Sequence, residues 1–168
     1  TLTENQMRVY KAEFIGKPSD ELIYEGIAAN TTAQLELAGD KASVIGNPTE
    51  GALLLWMKAR GVDYSAYRDA VTKVEELPFS TERKYMATVV TSATGDKVLY
   101  VKGAPEIIFG LCADTSGLTR KEVDALLLEY QNMAMRTLGF AYQVLKQGDK
   151  TFADGKLVAD RLTFMGIV

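Results

Sequence analysis

Histidine is absent from all 168 residues. That removes imidazole general bases, Ser-His-Asp triads and histidine-containing zinc sites from consideration. The single cysteine, Cys112, rules out a disulfide within the chain and suits a reducing compartment. Long apolar runs are missing too. The longest, Ala52–Met57 (ALLLWM), has six residues against the roughly 20 that a membrane-spanning helix needs, and no signal-peptide pattern is present. Nor is there an excess of positive charge: 19 basic and 22 acidic residues give a net charge of −3, with no electrostatic case for nucleic acid or an anionic membrane surface. Neither G-x-x-x-x-G-K-[ST] nor a post-strand G-x-G-x-x-G occurs, and no spacing of carboxylates singles out an acid/base pair.

What is present describes one globular domain. Apolar content of 47% and charged content of 24% are ordinary for a soluble fold, and 168 residues suffice for a sizeable core. The chain begins at Thr1 and stops inside the apolar run LTFMGIV, so it reads as a domain cut from something larger.

Local patterns predict the elements. Alternation predicts a strand over 7–16, and Ser19 can start a helix that turns Leu22, Ile23, Ile27 and Ala28 to the core. Two short strands flank Gly39-Asp40. Asn47-Pro48-Thr49-Glu50 is a helix start with a cap, a first-turn proline and a glutamate placed for a capping box; GALLLWMKARG then predicts a buried helix ending at Gly61. A short helix over DYSAYRDA leads to the strand VTKVEEL, which stops at Pro78. KYMATVVTSA and DKVLYVK read as a hairpin around a two-residue turn at Thr94-Gly95, which pairs Ala93 with Asp96 and places Met86 opposite Gly103. Ala104-Pro105 opens a short helix, and Thr119 with Glu122 forms a second capping box, for a helix with Val123, Leu126, Tyr130 and Met133 on one face. TLGFAYQVLK and RLTFMGIV close the domain as strands. The expected fold class is α+β, a twisted, mainly antiparallel sheet flanked by helices.

One stretch of chemistry stands out. The hairpin brings Phe79–Met86 (FSTERKYM) and Lys102–Glu106 (KGAPE) to one open end, with paired strands about 5 Å apart. Phe79, Lys84, Met86, Lys102, Gly103 and Ala104 then combine an aromatic ring, a thioether, two cations and bare backbone at a helix start, a set suited to an adenine nucleotide. Each residue also has a plainer use. Phe79 and Met86 can be core, Lys84 a solvated charge, Lys102 a strand end, and Glu50 a helix cap. Arg136 can oppose the C-terminal dipole of its helix.

KGAPE, FSTERKYM, GNPTEGALL and RTLGFA occur in the order and spacing of the nucleotide-binding domain of P-type ATPases, and the chain most resembles the type II cation pumps, calcium-transporting ones above all. The opening TLTENQM resembles the end of that family's D-K-T-G-T-L-T motif, which implies a phosphorylated aspartate just before Thr1; TFMGIV resembles the return to the phosphorylation domain. The resemblance implies one nucleotide-binding domain over 1–168, with 1–7 and 163–168 as hinge segments. It implies ATP with Mg2+, partners in the phosphorylation and actuator domains, membrane attachment only through helices elsewhere, and a cytoplasmic position in an integral membrane protein. It implies that Phe79 stacks on adenine and Glu50 accepts from its amino group. Lys84 and Met86 would line that pocket, Lys102 would sit deep in it beside Gly103 and Ala104, and Arg136 and Leu138 would face ribose and phosphate. Thr81 stands where many animal calcium pumps carry an arginine, so that phosphate contact does not carry over, and Arg83 would lie on the other strand face. The isolated fragment is expected to bind nucleotide without hydrolysing it. A sodium, proton or magnesium pump, or a non-catalytic interaction domain, is the alternative.

Overall fold

The computed structural model describes residues 6–168, so the expected 1–7 hinge and the TLTENQM likeness lie largely outside the described residues. The fold is α+β. Its main sheet has six antiparallel strands in the order β1-β10-β7-β6-β5-β4: β1 (Glu13–Phe14), β10 (Thr163–Ile167), β7 (Gly139–Leu145), β6 (Lys97–Gly103), β5 (Tyr85–Thr91) and β4 (Thr72–Leu77). Helices cover both faces. Against one lie α1 (Asp20–Ala29), α2 (Pro48–Ala59) and α3 (Tyr64–Asp69), which gather Ile23, Ile27, Leu54 and Met57 around Phe140 and Met165. Against the other lie α4 (Pro105–Leu111) and α5 (Arg120–Asn132), which pack Ile108, Phe109, Val123 and Tyr130 on Tyr85, Val89, Leu99 and Phe164. The central strands β5 and β6 are buried on both faces and so are almost wholly apolar, whereas the edge strand β4 is largely exposed. Two hairpins stand apart from the main sheet: β2 (Gln34–Ala38) with β3 (Lys41–Ile45), and β8 (Phe152–Ala153) with β9 (Lys156–Leu157).

Local chemistry sets most boundaries. Ser19, Asn47 and Asp63 accept backbone N–H groups at the starts of α1, α2 and α3, and Thr119 with Glu122 closes the predicted capping box of α5. Leu22 is only half-buried on α1, and Met133 lies exposed just past α5.

Four expectations change. The strand predicted over 7–16 pairs only at Glu13–Phe14, with Glu13 opposite Ile167, the last residue of β10. The β5–β6 loop has three residues, not two: Ser92 N–H donates to Asp96 at 2.7 Å, and Gly95 supplies the left-handed residue (φ +89°) of that loop type. Every pair therefore slips by one, so that Met86 faces Lys102 and Tyr85 faces Gly103. The Glu50 capping box is not formed: Asn47 caps alone, while the Glu50 carboxylate turns to Thr32 and Lys102. Finally, α5 ends at Asn132 and Ala134 turns left-handed (φ +55°), so Arg136 lies beyond the helix, outside the reach of its dipole.

Candidate functional site

The nominated residues gather at one end of the main sheet, where β5 begins, β6 ends and β7 begins. Met86 and Lys102 are cross-strand partners, and Lys102 pairs on its other side with Phe140, so all three side chains share the α1/α2 face. Lys102 is only 5% exposed there, and Glu50, in the first turn of α2, only 8%. Lys102 Nζ donates to Glu50 Oε2 at 2.6 Å and also to the carbonyl of Asn30, at the C-terminal end of α1. Thr32 completes the arrangement. Its N–H donates to Glu50 Oε2 at 3.2 Å and its hydroxyl to Oε1 at 2.8 Å. Asn30 is itself fixed, its side-chain oxygen accepting from Thr88 at 2.7 Å. Lys102 is thus no strand end in solvent and Glu50 is no helix cap. They form a buried ion pair joining α1, α2 and β6.

Burial works against both charges, and contact between them works for both. On Glu50, burial pushes the carboxyl up, but the Lys102 ammonium and the hydroxyls of Thr32 and Thr31 outweigh it and hold the group below the usual carboxylate range. On Lys102, burial is the larger influence and holds the ammonium below the usual lysine range despite Glu50. The folded protein therefore binds fewer protons at Glu50 than the unfolded chain does, just below the unfolded value of about 4.3. That share of stability is complete above about pH 4.3 and is lost as pH falls through the lower folded value. Glu50→Gln should accordingly show a shallower loss of melting temperature than wild type between about pH 7 and pH 3. Parallel acid limbs would mean that the pair makes no such contribution.

The remaining candidates sit around this pair. Phe79, two residues past the end of β4, is 57% exposed, which excludes the core reading; Met86, at 3%, is core as well as neighbour to Lys102. Residues 80–84 form a turn, closed by Lys84 N–H on the Ser80 carbonyl at 2.7 Å, and Lys84 takes a left-handed conformation with an exposed side chain. The two-residue period does not run through this turn, so it cannot place Arg83 on a strand face. The Arg83 guanidinium instead donates to the Pro78 carbonyl and lies 5.9 Å from the Tyr85 ring. Thr81 is exposed.

Gly103 has a structural reason of its own. A Cβ there would lie 2.2 Å from the Lys84 carbonyl oxygen, so the close approach that requires glycine is by the β5 backbone. The Ala104 N–H donates to the same carbonyl at 3.0 Å and is not free for a ligand. Arg136 is exposed; with Leu138 it lines a cavity of about 280 Å³ that also takes in Thr49, Leu53, Val9 and Lys11, but not Glu50, Phe79 or Lys102. Sequence reasoning missed Asn30, Thr32 and Thr88. The polar run Asn30–Thr32, just past the end of α1, was the only local signal for the first two, and for Thr88 it was a polar residue within the apolar strand β5.

Fold and site define an α+β domain carrying a buried lysine–glutamate pair at one end of an antiparallel sheet. Residues 18–168 match the family model described as P-type ATPase, cytoplasmic domain N, and the chain belongs to that family. It is similar to "Calcium-transporting ATPase PAT1" of Dictyostelium discoideum, 34% identical over 191 residues that cover 100% of this chain and 17% of that protein. It is also similar to "Calcium-transporting ATPase 5, plasma membrane-type" of Oryza sativa subsp. japonica, 31% identical with 100% and 18% covered. "Calcium-transporting ATPase" of Bacillus subtilis is 27% identical, with 89% of this chain and 17% of that protein covered. The chain thus corresponds to less than a fifth of these relatives. Among the described residues, no helix is long and apolar enough to cross a membrane.

Proposed function

We propose that this chain is the ATP-binding domain of a cation-transporting pump, a calcium pump by the names of its relatives, and that it presents Mg-ATP to a phosphorylatable aspartate outside residues 1–168. The observation that carries this reading is the Glu50–Lys102 pair, together with what its bonds leave unused. A carboxylate offers about four acceptor positions. Oε2 takes Lys102 and the Thr32 N–H, whereas Oε1 takes only the Thr32 hydroxyl, so one acceptor position remains on Oε1. Two of the three ammonium protons of Lys102 are engaged, which leaves one donor beside it. The exposed Phe79 ring offers a stacking face for a flat base. The residues fit an adenine nucleotide held chiefly by its base.

On this reading Phe79 stacks on the base, Glu50 Oε1 accepts from its amino group, and Lys84, Met86, Lys102, Gly103 and Ala104 bound the pocket. Arg136 and Leu138 attend the ribose and phosphates, with Lys84 or Arg136 supplying the charge that Thr81 does not. Bound ATP would supply the transferable γ-phosphoryl group, with Mg2+ carried on its phosphates. Residues 1–7 and 163–168 would be the hinge segments to the phosphorylation domain. The actuator domain and the membrane helices would lie elsewhere in the same protein, and this domain would sit on the cytoplasmic side.

Calorimetric titration should give a dissociation constant on the order of 0.1–1 mM for ATP, with ADP within about tenfold and GTP weaker, since guanine presents a carbonyl where adenine has its amino group. Sustained phosphate release by the purified chain, or equal affinity for ATP and GTP, would contradict the proposal.

A further inference from the structure

Thr32 lies 18 residues before Glu50 in sequence, yet it makes two of the three hydrogen bonds that the Glu50 carboxylate receives. Lys102 engages only Oε2, so Oε1 is held by the Thr32 hydroxyl alone. The terminal torsion of a glutamate is broad and poorly fixed by its own rotamer wells. Without that hydroxyl, the carboxylate is free to turn both oxygens toward the Lys102 ammonium. Neither oxygen would then stand where a base amine needs it. The ammonium has no such latitude: the Asn30 carbonyl anchors it, and Thr88 holds Asn30 in turn. The neighbouring Thr31 hydroxyl, which accepts from the Ala33 N–H at 3.1 Å, also favours the Glu50 carboxylate but makes no direct hydrogen bond to either of its oxygens; Thr32 is itself exposed, so its side chain contributes little to the core.

We infer that Thr32 is a positioning residue for base recognition. By clamping Glu50, it keeps one acceptor position of Oε1 available to the exocyclic amine of adenine, and it thereby sets the preference for adenine over guanine nucleotides. The inference rests on the reading that a nucleotide base meets Glu50, and it adds a residue that no nucleotide contact would reveal.

The test compares ATP and GTP affinities of the 168-residue chain with those of Thr32→Val, Thr32→Ser and Glu50→Gln, alongside melting temperatures. Thr32→Val should reduce the ATP-over-GTP ratio about tenfold, equivalent to ~1.4 kcal/mol, and Thr32→Ser, which keeps the hydroxyl, should restore it to within about twofold. Thr32→Ala, smaller than the native residue, carries the same forecast as Thr32→Val should valine not be accommodated. A merely structural role would shift both affinities together and leave the ratio unchanged. A wild-type ratio in both Thr32→Val and Thr32→Ala, or a lost ratio in Thr32→Ser, overturns the inference. If Glu50→Gln also keeps the wild-type ratio, the reading of Glu50 itself has failed. If Glu50→Gln loses the ratio while the Thr32 variants keep it, only the role of Thr32 has.

Discussion

Lys102→Met should lower stability by about 3–5 kcal/mol, because methionine fills the place of the aliphatic stem but leaves the Glu50 charge buried without its cation. For a domain of this size that corresponds to a fall in melting temperature of roughly 6–20 °C. This departs from what a pocket lysine in solvent would do, where loss of charge would leave melting almost unchanged. The difference comes from burial: Lys102 is 5% exposed, and its ammonium serves both Glu50 and the Asn30 carbonyl. ATP affinity should fall as well, by about 1.5–3 kcal/mol for a lost charge-assisted contact. Glu50→Gln in the same chain should recover part of the stability, since it removes the stranded charge, so the two substitutions should be clearly non-additive. Thermal melts of the two single variants and the double variant decide this. A Lys102→Met protein that melts with wild type would show that the pair carries no structural weight.

Phe79→Ala is the converse case. At 57% exposure the ring contributes little to the core, so stability should change by less than about 1 kcal/mol. If the ring is the stacking platform, ATP binding should weaken by about 1–3 kcal/mol, the range seen when base-stacking aromatics are replaced by alanine. A buried core phenylalanine would instead cost about 3–5 kcal/mol of stability. Melting and ATP affinity measured on the same preparation separate the two roles. Unchanged affinity with unchanged melting would leave Phe79 without a role in the site.

Which of these properties could be read from sequence follows from the range of the interactions. Helix starts were legible because Ser19, Asn47 and Thr119 act on N–H groups two or three residues away. The hairpin of β5 and β6 was legible too, from its turn residues, and with it the meeting of the FSTERKYM and KGAPE stretches. Register was not, because a single residue in the loop, Ala93, decides it: with Gly95 left-handed, Ala93–Gly95 makes a three-residue connection and Lys102 shifts from Ala87 to Met86. Glu50 misled for a different reason. Its local pattern fits a capping box, but a carboxylate at 8% exposure needs a counter-charge, and that lies 52 residues away on β6. The role of Asn30 and Thr32 depends on the same tertiary pairing. The β8–β9 hairpin was not anticipated, although its signal was local: Asp154-Gly155, both left-handed, form a two-residue turn.

The most direct test follows backbone amide resonances of the chain as ATP is added. Binding at the proposed end of the sheet predicts the largest shifts at residues 30–32, 49–50, 79–86, 102–104 and 136–138, with much smaller changes over the β2–β3 and β8–β9 hairpins. Shifts confined to the cavity beside Val9, Lys11 and Arg136, with the amides of Thr32, Glu50, Phe79 and Lys102 unmoved, would place the nucleotide elsewhere and contradict the account.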